Sequence, residues 1–303
     1  MLTPPESITA VEFARVPQAL RRTGEPSWMS RSGRIGTFLE GPAFDRAGNL
    51  YVVDMPFGRI FRVARDGSFE VAAEYDGAPN GLAIHRDGSL YVADRRRGIV
   101  RVDSRSGAVE SVLAELPGGG PLKGPNDLVF DHDGNCYFTD QGETGLHDPT
   151  GRLVRIDPGG TVSVLLDNVP SPNGLVLDRA ERVILLAVTR ANAVWHVPLG
   201  ADRRRVGRVG LFVQLSGAPG GGPDGLALDG AGNLVVAHAR MGCLWVFSAR
   251  GEPRYRIAVE AGSLVTNAAF RPGTGEVFIT ESESGTVLRA TLPEVGLPLF
   301  SHA

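Results

Sequence analysis

The 303-residue chain carries 31 Lys and Arg against 34 Asp and Glu, a formal net charge of −3, and is 42% hydrophobic and 21% charged. This is enough apolar material for a core and too much for disorder. No basic stripe marks a nucleic-acid partner, and no run reaches the roughly 18 apolar residues of a membrane helix.

The N-terminus, MLTPPESITAVEF, has no positive n-region and no apolar h-region. A cytoplasmic protein is therefore expected, with residues 1–39 packing on or completing the fold that follows. From Glu40 onward one phrase recurs. EGPAFDRAGNLYVVD begins at Glu40, PNGLAIHRDGSLYVAD at Pro79 and PNDLVFDHDGNCYFTD at Pro125. PNGLVLDRAERVILLAV begins at Pro172, PDGLALDGAGNLVVAH at Pro223 and TNAAFRPGTGEVFITE at Thr266. Each is followed by a third apolar run (RIFRV, GIVRV, RLVRI, AVWHV, CLWVF, TVLRA), and often by a fourth, such as SFEVAAEY. The pattern is strand, tight turn, strand, loop, strand, with Asp-Gly, Ala-Gly-Asn and Thr-Gly at the turns. The runs are rich in the Val, Leu, Ile, Phe and Tyr that pleated surfaces favour, and no long amphipathic helical period is present. Six units spaced by about 40 to 50 residues predict an all-β, six-bladed β-propeller with four-stranded blades, a single domain over 1–303. Cys136 and Cys243 fall in different repeats and read as buried free thiols. Arg95-Arg96-Arg97 and Arg203-Arg204-Arg205 read as solvated loops.

One place in the phrase holds Glu40, Asn80, Asn126, Asn173, Asp224 and Asn267. It lies where the chain enters the innermost strand, so all six side chains are expected at one mouth of the central tunnel. Asn-Gly and Asp-Gly suit turns, but turn chemistry does not account for Glu40, nor for an oxygen donor in every repeat. A hard cation does: calcium takes six to eight oxygens from carboxylates, amides and water. Glu40 and Asp224 neutralise two charges and Asn126 and Asn173 add neutral ligands, with Asn80 and Asn267 nearby, touching substrate or water. Ca2+ is the expected ion, with Zn2+, Mg2+ and Mn2+ open. The histidines show no ligand spacing and neither cysteine joins the ring. There is no G-x-S-x-G elbow and no phosphate loop; the glycine-rich PGGGPLKGP and PGGGPDG lead instead into Asn126 and Asp224.

EGPAFD, GPNDLVFDHDGNCYFTD, PNGLVLD, GGPDGLALD and TNAAFRP…VFITES span nearly all of the chain from Glu40 to about Thr291. In that joint order they resemble the gluconolactonase/regucalcin family of six-bladed propellers, which includes diisopropyl fluorophosphatase and bacterial lactonases. The resemblance implies a divalent metal at Glu40, Asn126, Asn173 and Asp224, hydrolysis of small lactones, often of sugar acids, and Asp224 as base or nucleophile. Two places depart from it. Gly124 stands where animal members carry an arginine that contacts the sugar acid, and Ser282 where fluorophosphatase-type sites carry a histidine. The loops after the second strands are expected on the side of the ring. The longest, over 140–152, reads as a lid or as a solvent excursion. Arg190, His238 and Arg240 are candidates for a substrate carboxylate or hydroxyl, and Phe57 either covers a sugar face or packs between blades. The expected partner is a small-molecule lactone. The alternatives are an NHL-like binding scaffold, a phosphotriesterase or fluorophosphatase, and a strictosidine-synthase-like propeller without the metal quartet. Two acids facing one axis favour the hydrolase.

Overall fold

The computed structural model describes residues 4–23, 36–118 and 120–302. Its strands form six sheets, antiparallel except for one edge strand, each running outward from an innermost strand. The innermost strands are Leu39–Phe44, Pro79–Ile84, Pro125–Phe130, Pro172–Leu177, Gly222–Leu228 and Val265–Phe270. Each touches the next, and the last touches the first, so the sheets close into a ring of six blades. Helical structure among the described residues is confined to short 3-10 turns, and no helix is long and apolar enough to cross a membrane.

The first four blades each use four consecutive strands. The sixth takes only three from the C-terminal end, and its outer strand is Val11–Arg15, antiparallel to Thr286–Thr291 with Val11 opposite Arg289 and Arg15 opposite Thr286. Just before it, Glu6–Thr9 adds a parallel fifth strand to the outer edge of blade five. The N-terminal segment thus ties two blades together and closes the ring. Of the expected segment 1–39, residues 1–3 and 24–35 lie outside the described residues.

The core lies between blades. Alternation sends one set of side chains to each sheet face, and facing sets interdigitate. Between blades six and one, Leu39, Val52, Phe61 and Val287 pack with Phe44 and Phe278, whose rings meet edge-on at 5.0 Å. Burying one such Phe contributes roughly 1.5–3 kcal/mol. The cysteines are free and buried. Of the two arginine clusters read as solvated loops, Arg95-Arg96-Arg97 stays at the surface, and Arg203 alone turns inward from the other. Arg203 reaches Asp131, which is fully buried and also accepts bonds from Asn135 and Tyr137. Arg95 and Arg96 pair with Glu143 and Asp76. A buried carboxylate is costly unless paired, and that cost draws Arg203 inward.

Candidate active site

The inner strands begin at one end of the ring, and the antiparallel second strands end there. The loops that follow the second strands therefore surround the same mouth. In every blade the pairing of these two strands breaks register beside the residue singled out from the repeat. The breaks fall between Glu40 and Ala43, Pro79 and Gly81, Pro125 and Leu128, Pro172 and Leu175, Pro223 and Leu226, and Val265 and Asn267. Such a bulge re-aims a side chain that strict alternation would send into a blade interface. The residue that follows must also leave room. A Cβ on Gly225 would sit 2.0 Å from Oδ1 of Asn267, and one on Gly174 would sit 2.4 Å from the Asp224 carbonyl oxygen. Glycine at these places lets neighbouring axial residues meet.

Glu40 is 4% exposed. Burial, and then repulsion from Asp224 and Asp127, hold its carboxyl well above the usual range. Asp224 is pushed up to about 8 by burial and by Asp127, against the pull of Asn173 and Arg190. Asp127 is pushed up to about 7 by burial, despite accepting bonds from the Leu128 N–H at 2.8 Å and Asn267 Nδ2 at 3.3 Å. Three acids therefore share one centre, and among the described residues none of them forms an ion pair.

The amides divide into two kinds. Asn126 donates Nδ2 to Gln141 Oε1 at 3.1 Å, and Asn173 donates Nδ2 to Thr189 Oγ1 at 3.1 Å. Thr189 in turn donates to the Pro223 carbonyl at 2.8 Å. With their nitrogen edges held, both amides keep Oδ1 free of hydrogen bonds among the described residues. Asn267 spends its Oδ1 on the Ala268 N–H at 2.8 Å and its Nδ2 on Asp127, while Asn80 donates Nδ2 to the Asn126 carbonyl at 2.9 Å. Glu40, Asn126, Asn173 and Asp224 thus offer oxygens, and Asn80 and Asn267 brace their neighbours. Among the described residues no three His, Cys, Asp or Glu side chains form a metal-ligating group. The set is two carboxylates and two amides, with no soft donor. Acids that repel one another and form no ion pair among the described residues fit a hard dication.

Asp127 was missed from the sequence, although its signal is present. The place after the axial residue is Gly41, Gly81, Gly174, Gly225 and Ala268 in the other blades, and a carboxylate there stands out. Gln141 and Thr189 were missed because no pattern in a single blade shows which side chain holds an amide.

The remaining candidates fall in different places. Arg190 is exposed at the mouth, donates Nη1 to the Gly220 carbonyl at 2.6 Å, and its charge stabilises ionised Asp224. Arg240 is exposed in the loop after the second strand of blade five, at φ 70°. His238 is not at the mouth: it is 0% exposed, its Nδ1 accepts the Trp245 indole N–H at 3.1 Å, and burial pulls its ring down to about 4. The side chain turns into the blade because the strand continues through it. Phe57 has its ring face against the Arg59 guanidinium, 5.4 Å away, so it packs beside blade one. Ser282 is buried and donates to the Leu39 carbonyl at 2.6 Å. The long loop spans 141–150 between Cys136–Asp140 and Gly151–Ile156; Thr144 in it is buried and Leu146 is 70% exposed. On the far side of the acids the tunnel widens into a cavity of about 520 Å³, from Asp127 and Asn267 down to Leu297 and Phe300. The C-terminal segment crosses that end, where Arg46 Nε donates to the Ser301 carbonyl at 2.7 Å.

Comparison with known proteins matches residues 38–283 to the SMP-30/Gluconolactonase/LRE-like region. The chain belongs to this family. It is similar to the lactonase drp35 of Staphylococcus epidermidis, 29% identical over 93% of this chain and 91% of that protein. Among solved structures, regucalcin, a calcium-binding protein from Agrobacterium tumefaciens, superposes with a TM-score of 0.80 at 19% identity over 100% of both chains. A gluconolactonase from Xanthomonas campestris superposes with a TM-score of 0.75 at 22% identity, over 97% of this chain and 99% of that one. At these identities the two structures establish the propeller fold.

Proposed function

We propose that this SMP-30/gluconolactonase family chain is a metal-dependent lactonase that opens a small sugar-acid lactone, aldonic or aldaric, to the free acid. The observation that carries the reading is the axial set: two carboxylates with raised proton affinity, and two amides at the same place in the repeat whose Oδ1 atoms accept no hydrogen bond among the described residues. Glu40, Asn126, Asn173 and Asp224 would hold one divalent ion, with calcium the first choice. That ion, when bound, supplies Lewis acidity at the lactone carbonyl, an effect worth several kcal/mol.

The chain's own residues do the rest. Asp224 takes the proton of the attacking water as the carbonyl carbon becomes tetrahedral, and returns it to the ring oxygen as the ring C–O bond breaks, giving the hydroxy acid. In the alternative, the Asp224 carboxylate attacks directly, the ring oxygen leaves and takes a proton from solvent, and water then hydrolyses the resulting acyl-enzyme anhydride to free Asp224 and the hydroxy acid. Positioned base help of this kind is worth roughly 10²–10⁴-fold. Asn267 and Asn80 hold Asp127 and the Asn126 backbone, which keeps the acids apart in fixed places. Arg190 lies where it can meet a substrate carboxylate or hydroxyl, and Arg240 flanks the same mouth.

A panel of aldonolactones and aldarolactones, assayed with and without chelator, tests the reading. The expected result is chelator-sensitive opening of at least one five- or six-membered lactone. Turnover of a fluorophosphate with no lactone opened would instead assign the chain to the phosphotriesterase branch. The absence of a histidine at Ser282 weighs against that outcome.

A further inference from the structure

Two side chains outside the axial set are built into it. Gln141 accepts the Asn126 amide N–H at 3.1 Å and donates its own Nε2 to Ser171 Oγ at 3.0 Å. Ser171 is 4% exposed and sits at φ 66°, a left-handed backbone that is uncommon outside glycine, asparagine and aspartate. Blades three and five have glycines at the matching place, two residues before the axial one: Gly124 at φ 140° and Gly222 at φ 145°. A serine there is strained where glycine is not, and such strain persists only where the surroundings fix it.

The surroundings come from the neighbouring blade. In blades one, two and three the aspartate that ends the second strand accepts the backbone N–H two residues before the axial residue. The pairs are Asp54 with Phe38, Asp94 with Ala78 and Asp140 with Gly124. In blade four that strand ends in Val188, which has no acceptor to offer. The Ser171 N–H goes instead to Thr144 Oγ1, at 3.1 Å, from the 141–150 loop of blade three. Thr144 donates its hydroxyl to the Gln141 carbonyl at 2.6 Å. One loop therefore supplies both the hydroxyl that pins Ser171 and the amide that orients Asn126.

We propose that Gln141 and Ser171 are positioning residues. Together they set the Asn126 amide with its oxygen toward the axis and fasten the 141–150 loop to the ring, so that cation affinity depends on how the loop is seated. The proposal rests on the reading of the axial set as a dication site. Its test is calcium titration, by calorimetry, into chelator-treated full-length protein and its variants, alongside thermal unfolding in chelator. Ser171→Gly relieves the backbone but removes the hydroxyl. It is expected to leave the metal-free unfolding midpoint unchanged or raised, while the calcium Kd weakens about tenfold, as loss of a ligand-orienting contact does. Gln141→Leu is expected to weaken Kd similarly, and Gln141→Glu, which keeps an acceptor for Asn126, to recover it. Ser171→Gly binding calcium as tightly as the wild type overturns the proposal alone, and it decides the matter even if Gln141→Leu does not fold. A wild-type protein that binds no calcium overturns the proposal together with the reading beneath it.

Discussion

In the proposed mechanism the chemistry turns on Asp224, with Asp127 the buried acid beside it. Asp224→Asn keeps an oxygen for the ion and removes the base. It is expected to stay folded, to retain part of its calcium affinity, and to lose at least about 10²-fold in turnover at saturating calcium. Near-normal turnover there would move the base role to Glu40 or to water activated without a protein base. The raised carboxyl groups also give a pH prediction. In the metal-free protein burial raises the Asp127 and Asp224 carboxyls to about 7 and about 8, well above the ordinary aspartate range. Their contribution to stability is therefore full below the unfolded pKa and is lost as pH rises through those folded values. A dication binds the ionised form and competes with the protons. The rise in Tm on adding calcium should therefore grow between pH 5 and pH 8; a rise that is flat or shrinks with pH contradicts the assignment. At this scale the six axial places, Glu40, Asn80, Asn126, Asn173, Asp224 and Asn267, were legible because they recur at one position of a repeat. Asp127 was legible in principle, as the acid in a column of glycines. His238 was misread because a strand-end histidine can face the mouth or the blade interior, and burial against Trp245 decides between them.

The working element is the inner strand with its bulge. Hydrophobic alternation announces each strand, and the turn residues bound it, so all six blades could be read from the sequence. The bulge itself carries no such sign, although the glycine that recurs after the axial residue is a trace of the demand it makes. That demand is testable at Gly225, where a methyl group would lie 2.0 Å from the Asn267 amide oxygen. Gly225→Ala is expected to cost about 1–3 kcal/mol, as overpacking does, by urea denaturation of the metal-free protein. It should also displace Asn267 and so loosen its hold on Asp127. Wild-type stability would mean that the axial residues have more slack than their spacing allows. The 141–150 loop shows the limit of reading elements singly. Its length marks it as unusual, but its docking through Thr144 depends on Val188 in the next blade.

At the scale of the whole molecule the ring is closed by the start of the chain. Val11–Arg15 lies on Thr286–Thr291, and Glu6–Thr9 lies on blade five. The sequence allowed residues 1–39 either to pack on the ring or to complete it. Which occurs depends on a strand pairing between the two ends of the chain, and no local pattern encodes that. Removing residues 1–16 leaves blade six with three strands and bares the outer edges of blades five and six. The expected result is a fall in Tm of about 10 °C or more and a greater tendency to associate through the bare edge. An unchanged Tm would mean that the closure is not what holds the ring.

The central claim is that four oxygen-bearing side chains on the axis make a dication site at which lactone is opened. The most direct measurement is a calcium add-back titration of chelator-treated protein, with bound calcium and the rate of aldonolactone opening followed together. Negligible turnover is expected before addition, and then a rate that rises with occupancy of a single site and levels off when that site is full. Full turnover by the metal-free protein, or a rate indifferent to bound calcium, would contradict that claim.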